Sequence, residues 1–199
     1  MPQASMRHLS PVVLDYDAAK AVGEDKFLRH LRKQMNDAIR DQGVTGAAMK
    51  RSVYVVRLKG AFLISYPKKE SPTIYIGRGD AQPRLASHLK KWMHHVHNFG
   101  SDTTVEVNII LPLRQGRLDY FKYVEGSLLF EHERIYGAIP LFNGRRETTY
   151  GEDIGYTAEQ KTKLRALIGV GRGKRPWWSL SPTNANPFMG VFLKGMKLE

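Results

Sequence analysis

"IYIGRGDAQPRLASHL", residues 74–89, is the stretch on which the fold turns. It opens with β-branched and aromatic residues, breaks at Gly77-Arg78-Gly79, and resumes at Asp80, a helix-capping residue, with helical spacing. Pro83 fits the first turn of a helix, where its missing N–H has no partner to lose. The expectation is strand, tight turn, helix. From Asp80 to about Val96, Leu85, Leu89, Trp92 and Val96 form a core stripe, and Arg84, His88, Lys91 and His95 form a second stripe roughly 100° away. A polar row beside a core row predicts the lip of a cleft.

Outward from this stretch the pattern stays clear. "SVYVVRLKG", residues 52–60, is dense in β-branched and aromatic residues and reads as a strand. "AFLISYPKKESP", residues 61–72, joins it to the strand at 73–79 as the turning part of an elaborated hairpin. Before the hairpin, residues 17–41 place Phe27, Leu31, Met35 and Ile39 at steps of four, an amphipathic helix. Residues 1–16, with prolines at 2 and 11, read as an irregular lead-in.

Beyond the hairpin and its helix, "TTVEVNIILPL", residues 103–113, alternates Val105, Val107, Ile109 and Leu111 on one face of a strand. A helix from about Leu118 to Gly137 follows, in which Val124, Leu128 and Ile135 share a face with Glu131 among them. A loop at 144–157, a short helix at about 158–168 and the basic, glycine-rich "GVGRGKRPWW" lead into the tail. The fold class expected is α/β, a small central antiparallel sheet flanked by helices, in a single domain over residues 1–199.

The balance of 31 Lys and Arg against 19 Asp and Glu gives a formal charge of +12, which favours a polyanionic partner, nucleic acid first. Absence of cysteine excludes disulfides and thiolate metal sites. No signal-peptide run opens the sequence, and no stretch approaches the roughly 20 apolar residues of a spanning helix. The expectation is a soluble, cytoplasmic protein without a membrane partner.

Taken in chain order, "VYV" at 53–55, "YIG" at 75–77, Arg84 with His88, and Glu131 followed by Pro140 and Asn143 in "FEHERIYGAIPLFN" resemble the GIY-YIG nuclease family. The resemblance spans about residues 52–143, leaving an N-terminal helical extension at 1–51 and a basic, aromatic C-terminal extension at 144–199. Ser52 replaces the first glycine of the triplet, and Tyr54 and Tyr75 are 21 residues apart, longer than in compact homing-type members. The longer hairpin and the added ends look more like the restriction-endonuclease members.

What the resemblance implies is Mg²⁺-dependent hydrolysis of DNA phosphodiesters, with Mn²⁺ able to substitute. Arg84 would grip the scissile phosphate, and Glu131 would hold the metal as an oxygen ligand. Tyr54 would stand beside the attacking water as base or relay, Tyr75 and His88 would position reacting groups, and Asn143 would brace the site. Arg78, Lys91, Arg145, Arg146, Arg172, Lys174 and Arg175 are candidate contacts to DNA phosphates. Double-stranded DNA as substrate, cut on both strands with one active site per chain, favours a homodimer, with monomers that nick sequentially as the alternative.

Each residue alone has a plainer explanation. Strand tyrosines are usually core or rim aromatics, Arg84 and His88 a solvated helix face, and Glu131 a partner for Arg134. Only the joint spacing favours chemistry. "HHVHN" at 94–98 lacks a third ligand with zinc spacing, and "GVGRGKR" at 169–175 lacks the ending of a phosphate loop.

Overall fold

The computed structural model describes residues 4–60, 63–99, 103–144 and 156–169. In chain order its elements are β1 (Ala4–His8), β2 (Val12–Val13), α1 (Tyr16–Ala21), α2 (Glu24–Arg40), α3 (Gly46–Met49), β3 (Ser52–Lys59), β4 (Ile64–Ser65), β5 (Glu70–Ser71), β6 (Thr73–Gly79), α4 (Ala81–Lys91), a 3-10 segment (Met93–Phe99), β7 (Thr104–Arg114), α5 (Tyr120–Tyr136) and α6 (Ala158–Ile168).

The sheet is antiparallel in the order β1-β7-β3-β6, with β2 also paired to β7. β7 is its spine: it pairs with β3 from Val53↔Ile110 to Lys59↔Thr104, and with β1 from Ala4↔Arg114 to His8↔Ile110. β3 and β6 form the hairpin expected from sequence, with Tyr54 opposite Gly77 and Val56 opposite Tyr75, and a bulge before Arg57. β4 and β5 make a separate two-stranded ribbon inside the connection.

Strand alternation sorts side chains onto two faces. Tyr54, Tyr75 and Gly77 share one face, on which the Tyr54 hydroxyl meets Arg84 and His88 of α4. α2 packs beside α4, joined by a bond from Gln82 to Asn36, and buries Leu31, Met35 and Ile39. Arg57 and Arg78 point to the other face. There Arg57 donates to the Gly169 carbonyl at the end of α6, and Arg78 pairs with Glu125 of α5. The sheet is thus sandwiched between helical layers, with Val105, Val107, Ile109 and Leu111 all buried.

The structure departs from the sequence expectation in specific places. Residues 4–13, read as irregular, supply β1 and β2, so the amino-terminal extension is part of the central sheet. The single helix expected over 17–41 is two, divided at Gly23, whose φ of 96° no L side chain adopts without strain. The helix after Asp80 ends at Lys91, and the chain winds more tightly through Met93–Phe99, where Val96 is still buried. After α5 closes at Gly137, Phe142 N–H donates to the Ile74 carbonyl and lays residues 141–143 along the outer edge of β6. The basic residues Arg145, Arg146, Arg172, Lys174 and Arg175 lie outside the described residues.

Candidate active site

β3, β6 and α4 bring Tyr54, Tyr75, Arg84 and His88 into one cluster. Arg84 Nε–H donates to the Tyr54 oxygen at 3.2 Å, and His88 Nε2 lies 3.3 Å from the same oxygen. The Tyr54 and Tyr75 rings stack at 6.0 Å, and the Tyr75 ring sits 4.4 Å from the imidazole of His88. The i, i+4 spacing on α4 is what aims arginine and histidine at one hydroxyl. The backbone has to come close for this to work. A Cβ at Gly77 would stand 2.6 Å from Cζ and Oη of Tyr54, so only glycine leaves room for the phenol.

Exposure divides the roles. Tyr54 is fully buried, whereas Arg84 is exposed and Tyr75 and His88 are half-buried. Burial, reinforced by neighbouring Tyr75 and opposed by Arg84, holds the Tyr54 phenol above the ordinary tyrosine range. It is a neutral phenol near pH 7. Beside an attacking water Tyr54 would therefore act as a neutral hydroxyl, and that same hydroxyl anchors Arg84 and His88. Burial, with Arg84 and Lys91 adding to it, also lowers His88 to about 4, so that imidazole is neutral as well. Arg84 is tied down at Nε by Tyr54 and hydrogen-bonds Tyr75 as well, and its exposed guanidinium keeps further N–H donors for an anion.

Trp92, read from the sequence as a core residue, is half-buried and belongs to the cluster: its indole N–H donates to His88 Nδ1 at 3.2 Å. Its ring stacks on Phe142 at 4.3 Å. The signal was available, since Trp92 stands four residues after His88, but the apolar stripe accounts for a tryptophan without it.

Asn143 is buried and acts on β6 directly. Its Oδ1 accepts from the Ile76 N–H at 2.9 Å and its Nδ2 donates to the Ile76 carbonyl at 2.7 Å, between Tyr75 and Gly77. The side chain imitates a neighbouring strand.

Glu131 is not brought to the cluster. It sits on α5, across the sheet, with Arg134 at 2.6 Å and Arg165 of α6 at 3.5 Å. Burial works to raise its carboxyl, and the two guanidiniums outweigh that, holding it below the usual carboxylate range. An ionised oxygen donor suits a hard cation such as Mg²⁺, which keeps most of its waters. A cation at Glu131 would compete with two arginines, however, and among the described residues no three His, Asp or Glu gather as a ligand group. The donor class fits the metal; the position does not join metal and tyrosines in one centre. Of the DNA-contact candidates, Lys91 is exposed at the end of α4, while Arg78 is held by Glu125 at 2.9 Å.

Comparison with protein-family models, with curated proteins and with solved structures finds no match for the chain.

Proposed function

We propose that the chain is a DNA endonuclease of GIY-YIG type, hydrolysing phosphodiester bonds, with a restriction-type, site-specific activity and a homodimer as the form that cuts both strands. The observation that carries the reading is the convergence of Tyr54, Tyr75, Arg84 and His88 from two strands and a helix. Arg84 offers its exposed fork to the scissile phosphate, with its angle set by Tyr54. Tyr75, the phenol that retains surface, and neutral His88 flank the place where a phosphate oxygen or water would lie. Glu131, apart from this cluster, is the candidate ligand through which Mg²⁺ or Mn²⁺ would be held with its waters.

The test is incubation of the purified chain with supercoiled plasmid and Mg²⁺. Discrete fragments are expected from the wild type, with Arg84→Ala losing cleavage while retaining salt-sensitive binding. Cutting confined to branched or nicked DNA would replace the restriction reading with a structure-specific one. Glu131→Ala should abolish metal-dependent cleavage; unchanged cleavage would remove Glu131 from the mechanism.

A second reading is favoured by the buried Tyr54 and the ion-paired Glu131: a basic DNA-binding protein without catalysis. Wild-type chain that binds DNA and never cuts it, with either metal, selects that reading.

A further inference from the structure

We infer that Trp92 is a positioning residue for the proposed reaction, holding His88 in the Nε2–H tautomer so that the Tyr54 oxygen receives a second donor beside Arg84. The catalytic consequence rests on the nuclease reading; the tautomer does not.

An indole nitrogen only donates, so the His88 Nδ1 that accepts from it carries a lone pair. A neutral imidazole has one N–H, which then resides on Nε2, the atom 3.3 Å from the Tyr54 oxygen. Arg84 Nε–H donates to that oxygen at 3.2 Å. Two donors thus occupy both lone pairs of one phenol, and the phenol's own proton is left for a third partner. The opposite tautomer would set the indole N–H against an imidazole N–H and send the Tyr54 proton into Nε2. Trp92 therefore decides the direction of the hydrogen bond between His88 and Tyr54.

The indole is itself fixed. It stacks on Phe142 at 4.3 Å, lies 6.0 Å from the Tyr75 ring, and Phe142 is pinned by its backbone N–H to the edge of β6 at Ile74. The orientation of a buried phenol is thus set from residue 142, through residues 92 and 88, by packing and two hydrogen bonds. The motif residues alone do not provide this: His88 without a donor on Nδ1 is free to present either nitrogen.

The experiment is ¹⁵N NMR of the full chain at neutral pH, with the His88 ring nitrogens assigned by comparison with His88→Gln. A protonated Nε2 and a bare Nδ1 are expected in the wild type; a proton on Nδ1 overturns the inference without any variant. Trp92→Phe keeps the aromatic stack and deletes only the N–H. It should turn the single His88 tautomer into a mixture and lower kcat on plasmid by about tenfold, comparable to losing a partner that orients a histidine ligand. KM and the thermal midpoint should stay near wild type. An unchanged His88 spectrum in Trp92→Phe, or an unchanged kcat, overturns the positioning role. A wild type that does not cut removes the nuclease reading and with it any catalytic role for Trp92, while the tautomer still stands or falls on the spectrum.

Discussion

A methyl group at Gly77 has nowhere to go, with Tyr54 and Tyr75 atoms 2.6 Å from the position it would occupy. Gly77→Ala is therefore expected to destabilise the chain by about 1–3 kcal/mol, as overpacked cores do, and to displace the phenol that anchors Arg84. Urea unfolding measures the first effect and plasmid cleavage the second. Asn143→Ala works through hydrogen bonds instead. It leaves the Ile76 N–H and C=O without partners in a buried place, at about 1–3 kcal/mol for each orphaned group, and a lowered urea midpoint with unchanged slope is expected. His132 carries a pH signature. It is buried between Tyr66 and Tyr136 with Nε2 unpartnered, and burial, opposed by its bond to Ala138, lowers it from 6.5 to about 4. Because the unfolded chain takes up this proton more readily, the stability is present above pH 6.5 and lost as pH falls towards 4, on the order of 3 kcal/mol in all. His132→Gln should flatten the dependence of urea stability on pH in that window; an equally steep dependence would assign it elsewhere.

Elements with long, strong periodicity are legible in the amino-acid sequence alone. The spans expected for β3, β6, β7, α5 and α6 fall close to those observed, and the i, i+4 pair on α4 marks the residues that meet Tyr54. Short elements are not legible in this way. β1 and β2 are five and two residues long, too brief to show alternation, and their partner β7 lies about a hundred residues away in sequence. The break between α1 and α2 is hidden because the stripe from Phe27 to Ile39 lies wholly inside α2 and residues 17–22 carry no stripe of their own that would change phase; the clue is Gly23 inside a helical pattern. Glu131 shows a different kind of limit. Spacing along α5 says that it shares a face with Val124 and Leu128, but which face of the sheet α5 covers is a tertiary fact. The strand assignment makes a prediction of its own. Deleting residues 1–9 opens the outer edge of β7, and an open edge invites pairing between chains. The truncated protein is expected to scatter light and elute as aggregates at concentrations where the full chain does not.

For the whole molecule, the formal charge of +12 is the dominant long-range property. If DNA is the partner, log affinity should fall linearly with log salt concentration, with a slope set by the number of phosphates neutralised, and Lys91→Ala should make that slope shallower by about one unit. A slope unaffected by Lys91 would place the contact surface away from the end of α4. The position of Arg84 and Glu131 on opposite sides of the sheet has a consequence that can be put as an energy balance. Groups that share no partner perturb a protein independently, so the losses of urea stability in Arg84→Ala and Glu131→Ala should add in the double variant to within about 0.5 kcal/mol. The same cycle measured on DNA affinity asks something else. Additivity there means two separate jobs on one molecule, whereas a coupling energy absent from the free chain would have to travel through the nucleic acid, making the DNA the third wall of a centre that the protein builds only in halves.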